Sequence, residues 1–396
     1  MSLNSTVSAE RVHIAFFGRR NAGKSSVVNA FTNQKISVVS DTLGTTTDPV
    51  QKAMELLPLG PVVIIDTPGF DDEGALGSLR VERTREVLRK TDIAVLVVDA
   101  VVGLTDADEA LLAELRGRKL PYLVAYNKAD LLPAVPAAGE SKLYLSALTG
   151  EGIDELKSRL AVLVRSEEKE KLIVADLVRE GDTVILVIPI DGAAPKGRII
   201  LPQQQTLREL LDHHVTVICC QPEELRATIA GLVKKPALVI TDSQAFGRVS
   251  KDVPDEIPMT SFSVLFARYK GSLDELIRGA TMLSALRCGD HVLISEGCTH
   301  RRQCGDIGTV KLPAWIERYC GEKPHFSFTS GGTFPDDLSG YRLIVHCGGC
   351  MLNEKEMHYR QSAAKAAGVP MVNYGVAIAQ MNGILDRALK PLRKQK

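Results

Sequence analysis

The sequence carries no net charge. Its 396 residues include 48 Lys and Arg and 48 Asp and Glu, which balance at neutral pH. Balanced charge creates no general field that would draw the chain to nucleic acid or to an anionic membrane surface. We therefore expect no nucleic-acid partner and no membrane partner.

Long apolar segments are also absent. The longest apolar stretch, residues 93–104, is interrupted by Asp99 and is shorter than the roughly 20 residues that a membrane-spanning helix needs. Residues 1–10 are polar and lack the apolar core of a signal peptide. The sequence thus predicts a cytoplasmic protein. In that reducing compartment its eight cysteines are expected as metal ligands, reactive groups or core residues rather than as disulfides.

A phosphate-binding loop follows the first predicted strand. Residues 18–25 match the pattern G-x-x-x-x-G-K-[ST], and they lie between a predicted strand and a predicted helix. Gly18 and Gly23 let backbone N–H groups approach phosphates at a helix N-terminus. Lys24 can reach the β- and γ-phosphates, and the Ser25 hydroxyl can ligate Mg²⁺. Further residues of this loop that we assign to the nucleotide site are Asn21, Ala22 and Ser26.

Two later segments have the composition of nucleotide switches. An apolar strand ends at Asp66-Thr67-Pro68-Gly69, where Asp66 can hold Mg²⁺ through water and the Gly69 N–H can contact the γ-phosphate. Thr45 and Thr46 precede this strand in a polar loop, and Thr46 is predicted to close over Mg²⁺. We assign Lys24, Thr46 and Gly69 to catalysis.

Base selection is predicted at two loops that follow further strands. In Asn127-Lys128-Ala129-Asp130, the Asp130 carboxylate can accept two hydrogen bonds from guanine, which offers a donor pair that adenine lacks. Ser146 and Ala147 supply a loop whose backbone N–H can meet the guanine O6. The ordered set of motifs predicts GTP as the nucleotide.

With these motifs, the first third of the chain resembles the translation-factor-related GTPases of bacteria, the group that includes the tRNA-modification GTPase and Era-like proteins. In relatives with a catalytic glutamine, that residue follows the Asp-x-x-Gly motif, where this chain has Phe70. A phenyl ring cannot orient water, so hydrolysis is expected to be slow. In the resembled group an asparagine at the position of Asn21 helps to bind K⁺, which implies stimulation of hydrolysis by K⁺.

Beyond the GTPase motifs, strands and helices alternate, which predicts two smaller α/β domains with mostly parallel sheets. A charged run at 166–171 suits a linker. We predict a P-loop GTPase domain at 1–170, a small α/β dimerisation domain at 171–270 and a further α/β domain at 271–396. Within the middle domain, residues 261–269 are predicted as an edge strand. This domain shows no catalytic pattern, so we expect it to serve assembly as a homodimer.

Soft metal ligands cluster near the end of the sequence, just past the carboxyl ends of predicted strands. Cys347 and Cys350 can chelate one centre, and Cys298 adds a third thiolate. His300 or His346 could supply a nitrogen ligand. Tetrahedral Zn²⁺ and a [4Fe–4S] cluster both satisfy this set, so the residues alone leave the metal open.

The whole chain, with both groups of motifs, resembles the [FeFe]-hydrogenase maturation GTPase family, HydF. The resemblance implies that 271–396 is an iron-sulfur cluster-binding domain, with a [4Fe–4S] cluster held by Cys298, Cys347 and Cys350. The fourth position is open to His300, to His346 or to a ligand from outside the chain. It also implies a scaffold that receives a di-iron precursor made with the radical SAM enzymes HydE and HydG and passes it to the hydrogenase HydA.

Two alternative functions fit parts of the sequence. The GTPase motifs alone would suit an RNA-associated GTPase of ribosome assembly or tRNA modification, but the only basic run is the short segment 387–396. The cysteines alone would suit a regulatory GTPase stabilised by zinc. Iron and sulfide binding separates these alternatives from the cluster scaffold.

Overall fold

The computed structural model describes residues 11–34, 49–69, 84–167, 171–190, 199–297 and 306–393. The chain divides into two compact units, Met1–Lys169 and Glu170–Lys396. Both units are α/β and built on mainly parallel sheets, which confirms the predicted fold class.

The first unit contains one six-stranded sheet. Its strands are β1 (Val12–Gly18), β2 (Val50–Leu56), β3 (Gly60–Asp66), β4 (Ile93–Asp99), β5 (Tyr122–Asn127) and β6 (Lys142–Tyr144). The described helices are α1 (Lys24–Thr32), α2 (residues 84–90), α3 (Asp106–Gly117) and α4 (Ile153–Glu167). The strand order is β2-β3-β1-β4-β5-β6, with only the β2–β3 pair antiparallel.

Strand β1 shows why this sheet is covered on both faces. Ile14 and Phe16 belong to one buried cluster, whereas Ala15 and Phe17 belong to another. Successive side chains of a strand point to opposite faces, so a continuous apolar run fills two cores. The loops at the carboxyl ends of the strands are left to carry function.

The second unit contains two four-stranded sheets. Its strands are β7 (Thr183–Val187), β8 (Thr216–Cys220), β9 (Leu238–Thr241), β10 (Met259–Ser261), β11 (His291–Glu296), β12 (His325–Ser330), β13 (Leu343–His346) and β14 (Met371–Asn373). The sheet orders are β10-β9-β7-β8 and β12-β11-β13-β14, and every described pairing is parallel.

Helices cover these two sheets. They are α5 (Leu201–Asp212), α6 (Leu225–Ala230), α7 (Phe246–Asp252), α8 (Phe262–Lys270), α9 (Leu273–Thr281), α10 (Leu312–Cys320), α11 (Glu354–Ala366), α12 (Tyr374–Met381) and α13 (Leu385–Arg393). One buried cluster includes Val187 of β7 as well as Ile294 of β11 and Ile344 of β13. The two sheets therefore share a core, and the division at 270 stays a prediction.

The edge strand predicted at 261–269 is wrong, because this segment forms helix α8. Its N-terminus is capped by Ser261, whose Oγ accepts a hydrogen bond from the Val264 N–H at 3.2 Å. Phe262, Leu265 and Phe266 are buried at helical spacing. The short strand β10, which ends at the capping residue Ser261, pairs with β9.

None of the described helices combines the length and the apolar composition that crossing a membrane requires.

Candidate functional site

The predicted phosphate loop joins β1 to α1. Gly23 has a φ of 79°, a left-handed conformation that glycine adopts without strain, and a Cβ at this position would collide with the Asn127 side chain. Lys24 is the first residue of α1. The loop therefore presents its backbone at the N-terminus of a helix, where N–H groups favour anions.

Three side chains that we assigned to phosphate and Mg²⁺ converge at this loop. Lys24 forms an ion pair with Asp66, the last residue of β3, and the Ser25 hydroxyl donates to Asp66 Oδ2 at 3.0 Å. Lys24 is 9% exposed and Asp66 is 6% exposed, so the two charges neutralise each other away from water. The set fits MgGTP: a phosphate can replace the carboxylate beside Lys24, and Ser25 and Asp66 supply oxygen ligands to the metal.

Asn127 connects the phosphate loop to the loop predicted to read guanine. Its Nδ2 donates to the Ala22 carbonyl at 3.0 Å, and its Oδ1 accepts from the Ala147 N–H at 3.0 Å. The side chain is 3% exposed. It is thus a buried bridge that fixes two parts of the nucleotide site against each other, a role that the motif did not reveal.

Lys128 is held by an acidic residue at the end of the neighbouring strand. Its Nζ donates to Asp99 Oδ2 at 2.6 Å. Burial alone would raise the pKa of Asp99, but hydrogen bonds from Lys128 and the Val101 N–H outweigh it and lower the pKa. Asp99 therefore stays ionised and orients Lys128 beside the predicted base site.

The other predicted nucleotide residues have these positions. Asn21 is exposed with a φ of 62°, and Asp130 is exposed just past β5. Ser146 is buried and its Oγ accepts from the Thr149 N–H at 3.2 Å. Gly18 is buried, and Ser26 and Gly69 are partly exposed. Thr45, Thr46 and Phe70 lie outside the described residues.

The second candidate site is the loop that follows β13 and carries Cys347 and Cys350. The Cys347 Sγ accepts hydrogen bonds from the Gly297 N–H at 3.0 Å and from the Gly349 N–H at 3.4 Å. Gly349 has a φ of 62°, and a Cβ there would collide with Met357. The glycine lets the loop curl around the sulfur, and backbone N–H donors stabilise a thiolate.

The same hydrogen bond brings the end of β11 to this loop. Ser295 of β11 pairs in register with His346 of β13, and Gly297 directly precedes Cys298 in the sequence. Cys298 and His300 lie outside the described residues. Within the described ranges, no group of three or more His, Cys, Asp or Glu residues could hold a metal ion.

Burial and neighbouring charges shift the pKa of one thiol of the loop and of one nearby tyrosine. Burial, and then the neighbouring Cys347, raise the pKa of the Cys350 thiol, while Lys270 opposes the rise. Burial, and then the charge of Glu296, raise the pKa of Tyr374, which donates from its hydroxyl to Glu296 Oε1 at 3.2 Å. Cys350 therefore stays a neutral thiol until a positive centre stabilises its thiolate.

His346, a candidate ligand, is fully buried and both of its ring nitrogens have partners. Nδ1 is 2.7 Å from the Cys347 carbonyl oxygen, and Nε2 is 3.0 Å from Nη1 of Arg360. Arg360 and Lys270, which also contacts the loop, were missed by sequence reasoning. Lys270 lies 80 residues before Cys350, Arg360 lies on the helix after the cysteine loop, and no local pattern marks either residue.

Three family models match the chain. Residues 173–271 match the hydrogen maturase F dimerization domain, and residues 274–391 match the hydrogen maturase F tetramerization domain. These two models together cover more than half of the chain. Residues 13–128 match the 50S ribosome-binding GTPase model, so the first unit is a GTPase domain.

Similar proteins are found for the GTPase domain. The tRNA modification GTPase MnmE of Synechococcus sp. (strain JA-3-3Ab) is 37% identical over 158 residues, which is 39% of this chain and 34% of that protein. MnmE of Prochlorococcus marinus (strain MIT 9303) is 35% identical over 185 residues, 44% of this chain and 39% of that protein. The chain thus spans little more than a third of the length of these relatives. Among solved structures, Era of Aquifex aeolicus has a TM-score of 0.35 and 21% identity, covering 52% of this chain and 91% of that chain.

Proposed function

Because the chain belongs to the hydrogen maturase F family, we propose that it is a GTP-hydrolysing scaffold of [FeFe]-hydrogenase maturation. In this proposal it holds a [4Fe–4S] cluster through Cys298, Cys347 and Cys350 and delivers a di-iron precursor to the hydrogenase. The matches to the GTPase model and to the two maturase models, which follow one another along the chain, support this proposal.

One contact carries the cluster proposal. The Gly297 N–H donates to Cys347 Sγ, so the residue that precedes Cys298 already touches one of the two described cysteines. The end of β11 and the loop after β13, at the carboxyl ends of adjacent strands, thus meet at the Cys347 sulfur. When bound, the cluster supplies an iron site with one exchangeable position, to which a cargo can attach and from which it can leave.

The residues of this chain prepare the loop for that cluster. Backbone N–H groups of Gly297 and Gly349 point at the Cys347 sulfur and stabilise its thiolate. Cys350 is a partly buried thiol that ionises when a positive centre binds. The chain therefore offers hydrogen-bond donors for sulfur, which suit a cluster and equally strengthen zinc binding.

In this proposal, the GTPase domain supplies the energy and the timing for the hand-over of the precursor between partners. Lys24 holds the β- and γ-phosphates, Ser25 and Asp66 hold Mg²⁺, and Asp130 reads guanine. K⁺ bound near Asn21 supplies positive charge during hydrolysis, which stays slow because Phe70 replaces a catalytic glutamine. Slow hydrolysis suits the timing of a hand-over between partners.

We propose the partners from the family resemblance. HydE and HydG supply the di-iron precursor, and HydA receives it. The chain forms a homodimer through the segment that matches the dimerization model, residues 173–271.

Anaerobic reconstitution with iron and sulfide, followed by absorption and EPR spectroscopy, tests the proposal. We expect about four irons per chain and the EPR signal of a reduced [4Fe–4S] cluster. Alanine at position 298, 347 or 350 should abolish the signal, whereas the control Cys288→Ala, at an exposed cysteine, should keep it. A colourless protein with one zinc would favour the zinc-stabilised GTPase. Salt-sensitive RNA binding without iron would favour the RNA-associated GTPase.

A further inference from the structure

A buried lysine contacts the cysteine loop from helix α8. Lys270, the last residue of α8, is 4% exposed, and its Nζ lies 3.3, 3.4 and 3.0 Å from the carbonyl oxygens of Gly349, Cys350 and Leu352. An ammonium group has three hydrogens to donate and accepts none. These carbonyl dipoles offset part of the cost of burying its charge, and in return the ammonium fixes the path of the loop.

A buried arginine of helix α11 contacts His346, the residue of β13 that directly precedes the same loop. Arg360 is fully buried; its Nε donates to Glu356 Oε1 at 2.8 Å and its Nη2 to the Gly331 carbonyl at 2.8 Å. Nη1 lies 3.0 Å from His346 Nε2. Because a guanidinium can only donate, Nε2 accepts, and the imidazole hydrogen resides on Nδ1. His346 therefore donates from Nδ1 to the Cys347 carbonyl.

We infer that Lys270 and Arg360 are positioning residues of the cluster, and that His346 fixes the ligand loop instead of binding iron. This inference rests on the proposed cluster function. Lys270 holds the loop through the carbonyls at 349, 350 and 352, and Arg360 holds it through the His346 ring. Both ring nitrogens of His346 are used in these contacts, so neither is directed at the cluster.

The two cations also set the electrostatics of the site. Three thiolates give a bound cluster negative charge, and each added electron increases it. A buried ammonium next to the loop lowers the free energy of the reduced state more than that of the oxidised state. Lys270 belongs to the segment that matches the dimerization model, whereas the cysteines belong to the segment that matches the tetramerization model. One domain therefore tunes a cluster that the other binds.

Two substitutions at Lys270 separate its charge from its hydrogen bonds. Lys270→Met keeps the aliphatic chain but removes the charge and the donors, and Lys270→Gln keeps an amide donor without the charge. In the reconstituted full-length protein, we expect Lys270→Met to retain iron against a chelator about 10- to 100-fold less well. We expect Lys270→Gln to lie between Lys270→Met and the wild type. Both variants should be reduced at a lower potential in an EPR-monitored titration.

His346→Leu tests the other half of the inference. With ¹⁵N-labelled histidine, pulsed EPR of the reduced cluster should give the same histidine couplings in wild type and variant. Iron retention should still fall, because the Cys347 carbonyl loses its donor. A histidine coupling that is present in wild type and lost in His346→Leu would identify His346 as a ligand.

The outcomes distinguish this inference from the proposed function. A wild-type protein that binds zinc or no cluster overturns both. A wild-type cluster with unchanged iron retention and potential in both Lys270 variants overturns the inference alone. Unfolding followed by the fluorescence of Trp315, the single tryptophan, checks that each variant keeps a folded second unit. Lys270→Gln, which keeps a donor, serves if Lys270→Met does not fold.

Discussion

Lys24 and Lys270 are both buried lysines beside a functional loop, but their ammonium groups have different partners. Lys24 pairs with the side chain of Asp66, whereas Lys270 contacts backbone carbonyls of the loop that it supports. A phosphate can replace a carboxylate as the partner of an ammonium group. No ligand of the cysteines competes for the carbonyls. The partner, rather than the burial, therefore distinguishes a lysine that binds a ligand from one that positions a loop.

The largest expected effect tests whether positioning cations in the second unit also support folding. Arg360→Met would leave Glu356 buried without its partner, so we expect it to lower the free energy of unfolding by about 3–5 kcal/mol. Urea unfolding followed by Trp315 fluorescence measures this change. The matched control is Lys365→Met on the same helix, whose exposed pair with Glu275 should contribute less than about 1 kcal/mol. Equal losses in the two variants would contradict a buried role for Arg360.

The second-largest effect concerns Lys24 and should appear in GTP affinity, with no change in the stability of the second unit. Lys24→Met removes charge-assisted hydrogen bonds to two phosphates, at about 1.5–3 kcal/mol each, so GTP affinity should fall about a hundredfold or more. Titration calorimetry measures the affinity, and Lys157→Met, in an exposed pair with Asp154, is the control. A GTP affinity within twofold of the wild-type value would show that Lys24 does not bind the phosphates. Urea unfolding of the second unit should not change.

A smaller effect concerns the cation proposed near Asn21. Replacing Na⁺ by K⁺ should raise the rate of GTP hydrolysis about tenfold, well below the effect of an arginine finger. Asn21→Ala should remove the difference between the salts. Phosphate release under saturating GTP measures both rates. Equal rates of the wild-type protein in Na⁺ and K⁺ would reject K⁺ as the source of positive charge.

The smallest effect tests an exposed ion pair on the helix that carries Arg360. Hydrogen bonds from His358 and Lys171 lower the pKa of Glu354 to about 2, although burial opposes them. A lowered folded-state pKa gives stability that is present above the unfolded value near 4.5 and is lost as the pH falls towards 2. Glu354 and Lys171 are both more than 40% exposed, so we discount this stability to about 1 kcal/mol. Melting curves of wild type and Glu354→Gln should converge as the pH falls from 5 towards 2, and a constant difference would contradict the shift.

The nucleotide site could be predicted because its functional residues lie within short sequence motifs. The lysine and serine of the phosphate loop are adjacent, and the Asp-x-x-Gly motif directly follows an apolar strand. A parallel sheet necessarily brings such strand-end segments together, and Lys24, Ser25 and Asp66 lie in contact at one edge of the sheet. The bridge made by Asn127 could not be predicted, because it depends on the distance between two loops that are more than 100 residues apart.

The supports of the cysteine loop escaped prediction for a physical reason. Lys270 lies 80 residues before Cys350. Because residues 261–269 were predicted as a strand, there was no reason to expect the end of a helix at Lys270. His346 has the residue type and spacing of a ligand, but its two ring nitrogens contact Arg360 and the Cys347 carbonyl oxygen. Ligand spacing is local in sequence, whereas the groups that orient ligands are contributed by whichever elements pack nearby.

The two sheets of the second unit share one core, and this limits which fragments of the protein can fold. A fragment that begins at residue 271 would contain the cysteines but would lack Lys270 and Val187, and the apolar residues of β11 and β13 would lose their packing partners. Such a fragment would expose a contiguous apolar surface and would therefore aggregate. Spectroscopy of the cluster apart from the GTPase domain therefore calls for a fragment that starts near residue 171, at the boundary between the compact units.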